Sequence, residues 1–488
     1  MASALTAPFE GLHIEEVVPM SAEVKGVSRA SILQGRRRIR FQPQTGTTAG
    51  PGQIIQFVLS DSTGLIDVNS AVLSYTARVN KNPGGGSAET ANVCLDDGHQ
   101  FRRVQVSLNG SLLDDVDNAH RATNMELYAS ATPDFYKTEG SFLHYWKFNE
   151  QLMPAASAMM DVTGHAAIQT LYDASNNGVG TQLMFPLGLI APCLRGKHYL
   201  PLRNMGEMVI QLTAAQAAEV LCFGTANSAA TYELKDLFLE VDVVVPHPAY
   251  ASLLDRICQM PNEAGLVIPV ETKLVSQGQS ITSTGENAVI VSRATNNLRR
   301  VDVVLQPTSG LVTNAYPSVS CFGNPYVKYI QWRCGSLYFP SQPANSIGRQ
   351  VNSTYAAFGE PASVDKSGIF NSKMFTQYTN GGGFVHAVIP GVGGTLDSAL
   401  VVSAANTNAY RADYADAAVF SYCFDNYKGG EQLDMDGISV VGQAGSQLVN
   451  IISCEAGTAA SPSVTPTIAL TATKFIHLKD GGLRIVGA

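Results

Sequence analysis

Two distant stretches of this 488-residue chain repeat one another. Val104-Gln-Val-Ser-Leu-Asn-Gly-Ser-Leu112 and Ile330-Gln-Trp-Arg-Cys-Gly-Ser-Leu337 align once Asn109 is left out. Gln105 then falls on Gln331 and Gly110 on Gly335, with starts 226 residues apart (330 against 104). Gly206-Glu-Met-Val-Ile-Gln-Leu-Thr213 resembles Gly445-Ser-Gln-Leu-Val-Asn-Ile-Ile-Ser453, 239 residues on (445 against 206). Leu239-Glu-Val-Asp-Val-Val-Val245 shares its alternation with Thr473-Lys-Phe-Ile-His-Leu-Lys479, 234 residues on (473 against 239). One short apolar match means little. Three in the same order at similar offsets indicate one β-domain built twice. Gly110 is then expected near Gly335, and Val209 near Leu448.

Local pattern supports short strands with few helices. Residues 54–59, 71–79, 101–108, 183–187, 207–213 and 236–245 are β-branched, aromatic or alternating and bounded by turn residues. In the second half the same holds for 288–293, 299–305, 326–333, 383–389, 418–424, 447–453 and 473–479. Asn109-Gly110 is a hairpin turn. A helix is expected after it, over 117–128 with Asp117 or Asn118 as N-cap, and its counterpart near 345–357. The expected class is all-β: two tandem eight-stranded jelly rolls with short helices and long external loops at 131–182 and 359–417. The expected division is an arm at 1–50, a first jelly roll at 51–247, a helical linker at 248–264 and a second jelly roll at 265–488. Gly46-Thr-Thr-Ala-Gly-Pro-Gly52 breaks the chain after the arm, and Pro246-His-Pro248 ends the first half.

Composition narrows the function. A chain of this length exceeds what one hydrophobic core usually supports, so two domains are the default. Only 15% of residues are charged, against about 25% in a typical domain. That suits a surface largely covered by other subunits. The net charge of −8 argues against nucleic-acid binding by the body of the chain. The eight cysteines are scattered, with no C-x-x-C pair, and are read as free buried thiols. The N-terminus has no basic segment followed by an apolar run, so no signal peptide is expected. The apolar stretch 183–194 is interrupted by two prolines and is shorter than the about 20 residues of a membrane span.

Catalytic, cofactor and metal sites are expected to be absent. The phosphate-loop, nucleophile-elbow and zinc-helix motifs are missing, and the nine histidines are dispersed. Asp114-Asp115-Val116-Asp117-Asn118 lacks the ligand spacing of a calcium loop and is read as an acidic helix start. The sequons at Asn109 and Asn352 are read as coincidental. One candidate contact remains: Arg36, Arg37, Arg38 and Arg40. Within 1–50 the balance is six basic to four acidic residues, against an acidic remainder. The run is either a solvated cluster, part of an edge strand, or a contact with an acidic partner such as nucleic acid, lipid headgroups or protein.

The whole pattern resembles the double jelly-roll major capsid proteins of the adenovirus-hexon, virophage and polinton-like virus lineage. The resemblance rests on Pro201-Leu-Arg-Asn-Met-Gly-Glu-Met-Val-Ile-Gln-Leu212, the Val-Val-Val-Pro-His-Pro-Ala-Tyr250 linker, the strand–turn–helix after Asn109-Gly110, and Phe475-Ile-His-Leu-Lys-Asp-Gly-Gly482. The arginine run has no counterpart in it. The resemblance implies a non-enzymatic capsid protein: a homotrimer that tiles an icosahedral DNA-virus shell, assembled inside the host cell and resident in the virion. It implies contacts with neighbouring capsomers, penton and minor capsid proteins. An internal membrane or the genome is a further partner, reached through the arm, whose four arginines would face the inner surface. The alternatives are a two-domain β-sandwich carbohydrate binder or glycosidase and a cellular β-sandwich scaffold. The former would use exposed aromatic platforms, and the chain has only Trp146 and Trp332.

Overall fold

The computed structural model describes residues 33–60, 64–80, 93–132, 135, 138–143, 145, 180–196, 199–223, 231–259, 265–308 (without 292 and 294), 322, 327–358, 418–424, 437–440, 447–455 and 463–487. Most of the two long loops, the strand expected at 383–389, Trp146 and residues 1–32 lie outside these.

The first group of strands is β1 (Leu33–Phe41), β2 (Ile54–Leu59), β3 (Leu65–Asn80), β4 (Phe101–Leu108), β5 (Ser111–Val116), β6 (Thr181–Pro186), β7 (Met208–Ala214) and β8 (Thr231–Pro246). They form two sheets, ordered β1-β8-β3-β6 and β2-β7-β4-β5. The second group is β9 (Leu266–Gln277), β10 (Thr284–Ile290), β11 (Leu298–Pro307), β12 (Tyr329–Cys334), β13 (Leu337–Ala344), β14 (Phe420–Cys423), β15 (Leu448–Glu455) and β16 (Val464–Lys479). Its sheets are ordered β9-β16-β11-β14 and β10-β15-β12-β13. Each strand of the second group thus sits where the strand eight places earlier sits in the first. Pairing is antiparallel throughout. This is the strand order of a jelly roll, made twice. Helix α1 (Ala119–Ser130) follows β5, α2 (Pro248–Gln259) joins the two groups, and α3 (Ile347–Ala357) follows β13 at the place of α1.

Alternation builds the cores. In β2, Ile55, Phe57 and Leu59 are buried while Ile54 is exposed, because successive side chains leave a strand on opposite faces. Tyr75 of β3 meets Phe101 of β4 edge-on at 5.4 Å and stacks on Phe185 of β6 at 6.0 Å. Trp332, 1% exposed, fills the second core. Its ring is therefore no sugar platform.

The ladders refine the repeat. Gln105 pairs with Gln211, and Gln331 with Ile451. With Gln105 set on Gln331, Met208 corresponds to Leu448 and Val209 to Val449, one residue away from the sequence alignment. The hairpins also match without a gap, since Leu108 pairs with Ser111 and Cys334 with Leu337. The turns differ in chemistry. Asn109 and Gly110 both have positive φ, whereas in Gly335-Ser336 only the glycine does. These are the patterns of type I′ and type II′ turns, so the same two-residue connection is made with glycine in either position, and the sequence gap was a product of that choice.

Three expectations are corrected. The segment 33–50 is not all arm, because β1 is an integral edge strand of the first sandwich. Strand β9 went unrecognised: it contains Pro269, which an edge strand tolerates. Asp114 and Asp115 lie on β5 rather than at a helix start, and alternation sends Asp114 inward (1% exposed) and Asp115 towards solvent.

A Cβ added at Gly110 or Gly335 would meet nothing within 4 Å. Either glycine-to-alanine change therefore tests backbone strain alone. Each is expected to lower unfolding free energy by about 1–2 kcal/mol, measured by urea denaturation.

Candidate functional site

Two charged features stand out: the arginine strand and the seam between the sandwiches. On β1, alternation puts Arg36, Arg38 and Arg40 on one face. Arg37 shares the other with Ile39 and Phe41, both of which pack on the core. Strand β8 supplies acids opposite: Arg38 pairs in register with Asp242, and Arg40 with Glu240. Arg36 Nε and Arg38 Nε donate to Asp242 at 2.8 and 2.9 Å. Arg36 also reaches Asp67 of β3 at 3.0 Å, and Arg40 reaches Glu240 at 2.9 Å while lying 3.9 Å over the Phe238 ring. Partial burial raises the Asp242 carboxyl, but Arg38 and Arg36 outweigh it and hold the group below its ordinary range. The hydrogen bond to Asp242 raises Arg38. Of the three sequence readings, the structure shows the edge strand, and the acidic neighbour of three arginines is this chain's own β8. Exposed pairs of this kind add little stability. A charged edge does discourage indiscriminate strand pairing.

The seam lies where α1, β5 and the 3₁₀ turn Pro192–Leu194 of the first sandwich meet β9, an edge strand of the second. Side chains on both faces of β9 reach across. Thr272 donates to Asp114 Oδ1 at 2.5 Å, and Lys474 of neighbouring β16 donates to the Leu113 carbonyl at 2.8 Å. On the other face, Lys273 pairs with Glu126 of α1. Glu126 also pairs with Arg195, which in turn reaches Glu271 at 3.4 Å. Arg300 of β11 lies 3.1 Å from Asp302 and 4.0 Å over the Phe358 ring. The Lys273 side chain is 2% exposed and that of Glu126 13%.

Burial alone would raise Glu126, but Arg195, Lys273 and Arg300 hold it well below its ordinary value. Burial would lower Arg195, yet Glu126 and Glu271 drive it upward. Asp114 behaves oppositely. Burial pushes it up to about 6, although Thr272 and Lys474 pull it down. The Cys193 thiol beside it is pushed well up, by burial first and by Asp114 second.

A third polar cluster lies beneath α1. Tyr75 donates to Gln100 (2.9 Å), Tyr145 to Asn124 (2.9 Å) and Tyr128 to Asp97 (3.2 Å), while His99 contacts Thr123 (3.0 Å). Burial lowers His99 to about 3. These groups satisfy one another and anchor the helix. Among the described residues, no three His, Cys, Asp or Glu side chains are placed to hold a metal, and no helix is long and apolar enough to cross a membrane. Sequence reasoning found the arginine run and Asp114 but missed Glu126, Arg195, Lys273 and Arg300.

No protein-family model matches the chain, and no curated protein matches it in sequence. Its fold is similar to that of PBCV-1 VP54 fitted into a cryo-EM reconstruction of the virophage Sputnik. Identity is 11%, with 93% of this chain and 97% of that one covered at a TM-score of 0.53. It is also similar to a chain in the 3.5 Å cryo-EM structure of the Sputnik virophage, at 10% identity, 93% and 88% coverage and a TM-score of 0.55. These neighbours are double jelly-roll proteins, and the double jelly roll is the fold of this chain.

Two variants test the seam. Glu126→Gln leaves buried Lys273 without a carboxylate and is expected to cost about 3–5 kcal/mol in urea denaturation. Asp114 sets a pH dependence. Its folded value of about 6 exceeds the ordinary 3.8. Its contribution is full below the unfolded value and is lost as pH rises through the folded one, a loss on the order of 3 kcal/mol. Glu126 has the opposite sign: its contribution is present above its unfolded value and lost as pH falls. Melting temperatures of wild type and Asp114→Asn between pH 4 and 7 separate the two. The variant is expected to gain on the wild type as pH rises, and parallel curves would remove Asp114 from the account.

Proposed function

We propose that the chain is a non-enzymatic structural protein of a virus shell, a major capsid protein whose homotrimer presents six sandwiches and tiles an icosahedral lattice. The observation that carries this reading is the doubled strand order, β1–β8 repeated as β9–β16, in a fold shared with chains of virophage structures. Two sandwiches per chain and three chains give a six-sided block from identical subunits, which is what a hexagonal lattice requires. The domain division supports it: the sheets group as 33–246 and 266–486, with α2 between them.

In this reading the protein resides in the virion, and its partners are further copies, penton and minor capsid proteins. The arginine strand enters as a contact with an acidic partner on the inner side, either membrane lipid or genome. Asp67, Glu240 and Asp242 already share three of the guanidinium groups, so any such contact has to compete with pairs made within the chain.

The test is the purified protein. Sedimentation is expected to give a species three times the 51.9 kDa chain mass, and electron micrographs of the concentrated protein to show hexagonal arrays or shells. A species that stays monomeric at every concentration and binds immobilised sugars would replace the reading with the carbohydrate-binding one.

A further inference from the structure

Helix α1 does two jobs. Glu126 carries it to the seam, and at its first turn His120 comes close to His99, which leads into β4. Both histidines are buried. The bonding of His99 is closed. The Phe101 N–H donates to Nδ1 at 3.3 Å, so the ring proton sits on Nε2, which donates to the Thr123 hydroxyl at 3.0 Å. That hydroxyl donates onward to the Ala119 or Leu189 carbonyl, each at 3.0 Å. The ring lies 5.8 Å from those of Phe101 and Phe185. A second proton would have to enter at Nδ1, where it would meet the Phe101 N–H donor against donor.

His120 has no partner of good geometry on either ring nitrogen. The charged groups that act on it are cationic: Arg121 beside it on α1 and Arg102 on β4. The neighbouring acids are otherwise engaged. Asp96 before β4, Asp117 before α1 and Glu219 of the turn at 217–220 bear on Arg121, and Asp97 accepts from Tyr128. Neither ring is offered a carboxylate when it takes up a proton.

We propose that His99 and His120 make α1 an acid latch: protonating the rings unseats the first turn of the helix, the helix carries Glu126 away from Lys273, and the seam between the sandwiches opens. A charge formed in a buried site without an acceptor is expelled into water. Burial lowers His99 to about 3. It also lowers His120 well below its ordinary value, with Arg121, His99 and Arg102 adding to the effect and the Asn118 backbone opposing it. Both folded values therefore lie below the unfolded value of about 6.5. The stability these rings lend is complete above that value and is lost as pH falls, because each takes up a proton on opening. Asp114 on the same seam has the opposite sign, with a folded value of about 6. The latch is independent of the capsid reading, since every group in it belongs to one chain.

The experiment is amide hydrogen exchange, read by mass spectrometry, on the full chain carrying Asp114→Asn so that this carboxyl does not titrate in the same window. It runs between pH 6.5 and 5, above the ordinary carboxylate range of about 4. Exchange rates divided by the intrinsic amide rate give opening constants. Peptides from α1 and β9 are expected to open more as pH falls, by up to about a hundredfold per pH unit, tenfold for each ring. Peptides from β3 are expected to stay protected. His99→Gln or His120→Gln in that background is expected to leave a slope of about tenfold, and the two together to remove it. Should the double variant fail to fold, the slopes of the parent chain and the single variants decide. A flat slope in the parent, an unaltered slope in the variants, or an α1 that opens while β9 stays closed would overturn the latch. So would a β3 that opens in step with α1, which is global unfolding rather than release of the helix.

Discussion

The structure depends on how the outer edge of β9 is closed. An edge strand presents backbone donors and acceptors that seek a partner. In this chain the first sandwich closes that edge with side chains and the Pro192–Leu194 turn rather than by pairing another strand with it. Lys273 is drawn almost wholly out of water and survives there because Glu126 stands beside it, itself held by Arg195. Desolvating such groups is costly, and their mutual attraction offsets the cost only when every member has a partner. The cluster therefore fixes the angle between sandwiches more than it adds net stability. Slide one sandwich along β9 and Lys273 loses its carboxylate at once.

The other end of the same problem is β1. Among the described residues it has the position of β9 but not its cover, and its chemistry suits exposure. Arginines alternate with apolar residues so that one face is charged and the other reaches the core, while β8 supplies the balancing acids. The same topological slot is thus filled once by a strand whose charged residues are buried and once by a strand whose arginines are more than half exposed. The hairpins show the same divergence on a smaller scale, where Asn-Gly and Gly-Ser make the same two-residue connection through different turns.

Much of this was written in local sequence pattern. Alternation in 101–108 and 207–213, the Asn109-Gly110 turn and the helix after it were all legible, because each depends on neighbours a few residues apart. The repeat was legible for the same reason, since both copies obey the same local rules. What stayed hidden has two causes. Strand β1 was masked by its charge, although its arginine and apolar alternation and the Glu240–Asp242 complement were both present. The seam was masked by distance: Glu126 and Lys273 are 147 residues apart, and nothing in either neighbourhood announces the other. Asp114 was misassigned in element type, as a helix start rather than a strand position with an inward face. A one-residue change of phase turns a solvent-facing acid into a buried one.

The partition of charge across the seam bears on how the protein is made. Glu126 and Arg195 belong to the first sandwich and pair with each other. On the second, Asp302 pairs with Arg300, and Glu271 stands two residues from Lys273 on β9. At α1 each side of the seam is therefore balanced before the other exists, whereas Asp114 and Lys474 meet only across it. A ribosome releases the first sandwich while the second is still unmade, and in that waiting half the Glu126–Arg195 pair is already closed while Asp114 still lacks Thr272 and Lys474. When β9 arrives, docking at α1 exchanges partners within a balanced set, and the buried carboxyl of Asp114 gains its hydrogen bond from Thr272.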